Sequence, residues 1–396
     1  MNFVEFHQQL LPQLLADHGN TQAASSTRLQ PLALQLAETG TSFTYYPSHT
    51  GIDIHEGQAE AKAVIELSQE HWDGLAADLE TVPGLLYGNK LGPNSQGDMG
   101  LFMLWEPLLR SIYHGYPLFN PNDWQLLDNQ QRPLDPAQSF TMDAEPAAMK
   151  EFLNCAGYLV VDQVFTEQEL LAMRNQALQL RELASKGDQA SWWGKNTGGA
   201  AICTRVLAAG RMPAFHDLYQ DPRICALQAL LPAELEAKYT GADDELDGIT
   251  VVYKTPDMDE GLSDLPWHRD CGMGGHAFMC PAIVLSIYLY DATEASGELR
   301  FLPGSHKASC GFLDSDKAYG VAAPARAGSV SLHFTDVMHA APQPRGDQAP
   351  FRTSVLLSFA RVKGTHSGER HYNDVLLGNE DGQIDHMDTL LVERGT

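Results

Sequence analysis

The sequence predicts an α+β protein whose C-terminal part is an all-β sandwich or barrel. Three observations carry this. Short runs rich in β-branched residues, separated by Gly/Pro turns, recur from residue 249 onward: ITVVYK, IVLSIYLY, ELRFLPG, GSVSLHF and TSVLLSFAR. Ahead of them lie stretches with helical apolar spacing, such as QEHWDGLAADLE and FTEQELLAMRNQALQL. With 396 residues and 43% hydrophobic content, the chain can build two or three domains with sizeable cores.

One stretch marks a boundary. Residues 118–146, LFNPNDWQLLDNQQRPLDPAQSFTMDAEP, are rich in Pro, Asn, Asp and Gln, the composition of a linker or extended wrap. Dividing the chain there gives a smaller α+β domain over 1–140 and a β-rich domain over 141–396. In the first, TSFTYY (41–46) and GIDIHEG (51–57) alternate like strands. Residues 69–80 read as a helix with Ser68 as N-cap and Trp72, Leu75, Ala76 and Leu79 on one face. Residues 97–113 repeat the pattern through Leu101, Leu104, Trp105, Leu108 and Ile112, with Pro107 expected to kink or restart the helix. In the second domain GYLVV reads as a strand and Thr166 with Glu169 as a capping box. Leu170, Leu171, Arg174, Ala177 and Leu178 then mark the face of a long helix.

Charge and composition exclude whole classes of partner. There are 26 basic and 51 acidic residues, a net charge of −25. No basic stripe is present to displace counterions, so neither nucleic acid nor an anionic membrane surface is an expected partner. No apolar run reaches the roughly 18 residues of a membrane span. The start lacks a basic segment followed by an apolar one, so no secretory signal is expected and the localisation reads as cytoplasmic. The cysteines, at 155, 203, 225, 271, 280 and 310, show no CxxC spacing and read as reduced thiols. Oligomeric state is not legible.

The chemistry centres on LPWHRDCGMGG (265–275). His268 and Asp270 are two residues apart, so a strand would aim both at one point. A non-haem iron wants two neutral imidazoles and a carboxylate on one face, leaving positions open. The second imidazole must come from elsewhere. HFTDVMHAAPQPRG (333–346) offers His333, inside a strand-like run, and His339, just past its end. Thirteen residues after His339 comes Arg352, heading an apolar strand, where a guanidinium can hold a carboxylate in a bidentate pair. Arg345, in a Pro/Gly loop, is its rival. Trp267 and Cys271 flank the pair as candidate pocket residues, with packing beside the pair the other reading for Trp267. WWGKNTGG (192–199), with Trp192 and Trp193, reads as a flexible aromatic loop of the kind that covers a site. His306 is expected to order a turn, and His333 to pack beneath the site.

These pieces, in this order, resemble the phytanoyl-CoA dioxygenase family of Fe(II)/2-oxoglutarate oxygenases over residues 150 to 361. FLNCAGYLVVDQVFTEQEL is similar to the family's opening stretch and VVYKTP (251–256) to the strand before its HxD pair. WHRD resembles that pair, SGELRFLPGSHK (296–307) its PGSH hairpin, and GSVSLHFTDVMHAAP the strand bearing the distal histidine. The gap before the arginine is longer than the family's, with QPRGDQAP inserted. The resemblance implies a double-stranded β-helix of the jelly-roll or cupin-like kind. It implies Fe(II) on His268, Asp270 and His339, with 2-oxoglutarate on the iron, its distal carboxylate on Arg352 and a second contact from Lys254. With O2 as the further co-substrate, such an enzyme hydroxylates a C–H bond of a small molecule and releases succinate and CO2. The presence of Asp270 favours hydroxylation, because related halogenases carry a small residue there. Residues 67–109 resemble the sterol-carrier-like fold and its apolar tunnel, which would suit a lipid-like or acyl-thioester substrate. Two other readings stay open: a non-catalytic lipid- or metabolite-binding protein on a cupin-like barrel, and a metal-dependent isomerase or hydrolase, which would not need Arg352.

Overall fold

The computed structural model describes residues 2–18, 29–48, 51–121, 124–239, 241, 248–259, 265–270, 282–311, 320–323, 325–345 and 351–360. Two separate apolar cores organise them, one drawn from Phe3 to Tyr113 and the other from Phe140 to Phe359.

The first core is built on a five-stranded sheet in the order Gly51–Glu56, Ser42–Ser48, Leu32–Leu36, Ala63–Leu67, Gln96–Gly97. The two expected strands form an antiparallel hairpin, and Leu32–Leu36 pairs in parallel with Ala63–Leu67. Helix Gln69–Ala76 starts where expected, the Ser68 hydroxyl accepting from the His71 amide at 3.2 Å. It stops short of residue 80, because Asp78 takes a left-handed φ of 59°. Helix Met99–His114 runs through Pro107 without the expected break. One backbone bond is forgone there, and burial of Trp105, Leu108 and Leu109 on one side outweighs it. Leu104, expected on the buried stripe, is 43% exposed. Edge-to-face rings of Phe3, Phe6, Trp72 and Tyr113 fill the interior between sheet and helices.

The second core is a double-stranded β-helix. Its large sheet runs Phe140–Thr141, Tyr158–Asp162, Val330–Phe334, Ile283–Tyr288, Thr353–Ala360, Ile249–Tyr253, Ala201–Val206, Ser191–Lys195, with Glu236–Ala237 added on Thr353–Ala360. Its small sheet runs Leu265–His268, His339–Ala341, Arg300–Phe301, Val321–Ala322.

The register of the large sheet sorts its side chains into two faces. Val206, Val251, Val355, Ile287, Val330 and Val161 form one cross-strand row. This apolar face packs against Leu170, Met173, Ala177 and Leu180 of helix Glu167–Leu183. That helix has the expected capping box on Thr166 and Glu169. Leu171 and Leu178 are exposed, since the buried positions follow the i, i+3, i+7, i+10 spacing from Leu170. The next row carries Trp192, Arg205, Val252, Ser354 and Tyr288 on the opposite face. Ser331, Ser286 and His333 lie on that same polar face. Residues 192–195 are therefore no loop: Trp192 and Trp193 stand in strand Ser191–Lys195, paired with Ala201–Val206, and only 196–199 form the turn that joins the two strands. No helix among the described residues is long and apolar enough to cross a membrane. Cys155, Cys203, Cys225 and Cys310 are free thiols, while Cys271 and Cys280 lie outside the described residues.

Candidate functional site

His268 ends the first strand of the small sheet, and His339 begins the strand beside it. They are direct cross-strand partners, so both imidazoles leave the same face, with ring centroids 4.2 Å apart. Asp270 sits in the bend just beyond, its amide bonded to the Thr335 carbonyl at 2.9 Å. One donor atom from each of His268, Asp270 and His339 lies within 4.8 Å of the others. Asp270 Oδ1 is 3.5 Å from His268 Nε2 and 3.7 Å from His339 Nε2.

The protonation of this group follows from its surroundings. His339 Nδ1 lies 2.9 Å from the Val337 carbonyl. A carbonyl only accepts, so Nδ1 carries the proton and Nε2 keeps its lone pair toward Asp270. Burial, with neighbouring His268, pushes the His339 imidazole down to about 3, so it is neutral at ordinary pH. Burial acts to raise the Asp270 carboxyl, but His339, His268 and His333 outweigh it and hold it well below the usual carboxylate range. Two imidazole donors and one carboxylate at this spacing suit a divalent transition metal.

His333 is the histidine the sequence left as a rival. It faces the site from the large sheet, with Nε2 3.3 Å from Asp270 Oδ2. It thus holds the carboxylate oxygen turned away from the other two imidazoles, and its Nδ1 has no hydrogen-bond partner. His306 orders a turn, as expected: it stacks on Phe334 at 5.3 Å and its Nε2 reaches the Asn154 carbonyl at 3.1 Å.

Arg352 precedes Ser354 by two residues and so belongs to the polar face of the large sheet. It is buried, and its Nη1 has no hydrogen-bond partner among the described residues. Burial lowers its affinity for a proton, partly offset by Tyr288 and Glu298 nearby. An unmatched buried guanidinium is costly, and a carboxylate ligand would answer it. Arg345 differs: its side chain is 78% exposed and stands 3.9 Å from exposed Glu294.

The structure alters three other expectations. Lys254 does not present a free ammonium to the site. Its Nζ donates to the Ala341 carbonyl and, at 2.5 Å, to that of Pro342, bracing the large sheet against the end of the His339 strand. Gly297, at φ 69°, makes room for this brace, since a Cβ there would lie 3.1 Å from Lys254 Nζ. Trp267 points away from the site, because alternation sends residues 267 and 268 to opposite faces. It packs with Leu302, Cys310, Met338 and Ala340 instead. Of the tryptophan pair, Trp192 lies on the polar face under the Arg205 guanidinium, 4.6 Å from ring centroid to Cζ. Trp193 packs against the main core and donates to Ser191 Oγ at 2.8 Å. Cys271 lies outside the described residues.

Tyr288, Ser331 and Glu298 complete the surroundings and were not singled out from sequence. Tyr288 and Ser331 hydroxyls are bonded at 3.0 Å. The signal was present as polar residues at every second position: Ser286 and Tyr288, Ser331 and His333, Arg352 and Ser354.

The comparisons with known proteins agree with this architecture. No curated protein matches the sequence. Among solved structures, EvdMO1 is similar at 20% identity and a TM-score of 0.44, over 56% of this chain and 51% of that one. The chain thus spans about half the length of EvdMO1. AviO1 from Streptomyces viridochromogenes Tue57 is similar at 20% identity and a TM-score of 0.42, over 56% of this chain and 96% of that one. The epimerase SnoN, in complex with Fe3+, alpha ketoglutarate and nogalamycin RO, is similar at 19% identity and a TM-score of 0.44, over 59% and 91%. The phytanoyl-CoA dioxygenase (PhyH) profile matches residues 153–354. That match covers half of the chain and spans every residue of the candidate site, so the chain belongs to the phytanoyl-CoA dioxygenase family, whose members use iron and 2-oxoglutarate.

Proposed function

We propose that the protein is an Fe(II)- and 2-oxoglutarate-dependent dioxygenase that hydroxylates an unactivated C–H bond of a small molecule. In this reading His268, Asp270 and His339 hold the iron, and Arg352 binds the distal carboxylate of 2-oxoglutarate. One observation carries it: three donors of the right type converge within 4.8 Å, and a buried guanidinium nitrogen on the facing sheet has no hydrogen-bond partner among the described residues. When bound, iron with 2-oxoglutarate and O2 supplies the oxidant, and succinate and CO2 leave.

The chain's own residues do the rest. His339 stays neutral because it is buried and its Nδ1 proton is fixed on Val337. Asp270 stays ionised, which supports hydroxylation over halide transfer. His333 orients Asp270 through Oδ2. Arg352 supplies a preorganised charge from the head of a strand. Lys254 acts by bracing the two sheets, and Trp192 lines the polar face. The first core, Phe3 to Tyr113, is taken as a domain of its own, and the oxygenase domain begins near residue 140, where strand Phe140–Thr141 joins the large sheet. A lipid-like or acyl-thioester substrate rests on the sterol-carrier resemblance of residues 67–109.

The test is succinate formation by the iron-loaded chain with 2-oxoglutarate and O2, across acyl thioesters and small polar candidates. Substrate-stimulated succinate with a hydroxylated product supports the reading. Stoichiometric binding of a metabolite with no succinate supports the non-catalytic alternative.

A further inference from the structure

The motif His268-Arg269-Asp270 sends its middle residue away from the site. Arg269 is 5% exposed, and its Nη2 donates to the carbonyls of Ser305 at 3.0 Å and Ala308 at 2.7 Å. The same turn, Ser305–Lys307, grips the other ligand arm: the Met338 amide, one residue before His339, donates to Ser305 Oγ at 2.8 Å. One short segment therefore fixes backbone next to all three candidate ligands.

The far side of that segment is held by the N-terminal half of the chain. Ser309 Oγ donates to the Pro107 carbonyl, in the middle of helix Met99–His114, at 2.8 Å. The Ser309 amide donates to Pro117 at 2.8 Å, and the Phe119 amide donates to Ser309 at 2.9 Å. Gly311 lies against the Pro107 ring so closely that a Cβ would come within 2.7 Å of it. Phe119 packs on the cluster containing Trp267 and Met338. The buried charge of Arg269 stands among Glu106 and Arg110 of the same helix and Asp336. No residue of this path faces the site.

We propose that the N-terminal half acts as a brace for the metal centre, working through Pro107, Ser309 and the positioning residue Arg269. The proposal rests on the assignment of His268, Asp270 and His339 as iron ligands. Ligand strands at the mouth of a barrel are short here, four residues in Leu265–His268 and three in His339–Ala341. Such short strands need an outside support to hold donor atoms to metal-ligand tolerance.

The experiment is anaerobic Fe(II) titration of the full-length wild-type chain and of Ser309→Ala, Arg269→Lys and the double variant, with thermal unfolding of each metal-free protein. Ser309→Ala removes a single hydroxyl remote from the site, and Arg269→Lys keeps the charge but loses the planar fork. Each is expected to weaken iron binding by about tenfold, with the metal-free unfolding midpoint nearly unchanged. The double variant is expected to be no weaker than Arg269→Lys alone, because the two act in series. Wild-type affinity in both single variants, or effects that simply add, would overturn the brace while leaving the ligand assignment standing. A wild-type chain that binds no iron overturns the ligand assignment and the brace together.

Discussion

In the first core Arg110 lays Nε and Nη2 on the two oxygens of Asp78, at 2.8 and 3.0 Å, with both side chains buried. In the second core Arg352 is equally buried, yet its Nη1 has no hydrogen-bond partner among the described residues. The histidines differ in the same way. His7 is tied at both nitrogens, to the Phe3 carbonyl at 2.7 Å and the Tyr45 hydroxyl at 2.9 Å, and Tyr45 passes on to Tyr113 at 2.6 Å. His268, His333 and His339 instead turn nitrogens onto one carboxylate. The first arrangement closes on itself and holds a fold. The second keeps charge and lone pairs available at a stability cost, which is what a ligand site requires.

The largest expected effect that sharpens this contrast is on the closed side. Arg110→Met leaves Asp78 buried and short of a counterion, and should destabilise the protein by about 3–5 kcal/mol. Chemical denaturation read separately at Trp72 or Trp105 and at Trp192 would check it. A loss under about 1 kcal/mol would mean that the pair contributes no more than an exposed one.

Next comes Glu106, which borders the same pair. Burial raises its carboxyl to about 7, with Arg110 and the Val82 amide pulling the other way. Its folded value lies above its unfolded one, so wild-type stability falls as pH rises from about 4.5 toward 7. Glu106→Gln lacks that fall. The variant should match wild type below pH 4.5 and exceed it above pH 7 by roughly 3 kcal/mol. A gap that shrinks as pH rises would contradict the burial argument.

On the open side, Arg352→Met should leave the ligand-free fold as stable as wild type or more so, since it removes an unmatched charge. The same change should raise the apparent KM for 2-oxoglutarate at least about tenfold, a decade being about 1.4 kcal/mol. Arg345→Ala should change neither. A destabilised Arg352→Met with normal 2-oxoglutarate dependence would put Arg352 among the closed, structural groups.

Much of this was legible in the chain itself. The strand GIDIHE announces itself by alternation, ITVVY, IVLSIY, VSLHF and TSVLLSFA announce themselves as short β-rich runs between Gly/Pro turns, and Ser68, Thr166 and Glu169 cap their helices as read. The pairing of His268 with His339 was not legible from local pattern, because it depends on which strands become neighbours. Trp267 could either pack beside the pair or line the pocket for the same reason: its pattern does not say which face of a small sheet meets the site, and the structure packs it with Leu302 and Met338. Pro107 was expected to kink or restart its helix; the helix does not restart there, and the close approach of Gly311 to the proline ring comes from a residue far along the chain. Lys254 falls just past the end of strand Ile249–Tyr253, and its carbonyl partners at 341 and 342 are visible only in three dimensions.

The most direct test of the site is the iron content of three proteins after anaerobic reconstitution with Fe(II) and removal of excess metal. Wild type and His333→Ala are expected to retain about one iron per chain, because His333 touches only the outward oxygen of Asp270. His339→Ala is expected to retain essentially none. Iron kept by His339→Ala and lost from His333→Ala would contradict the assignment and move the second imidazole ligand to the large sheet.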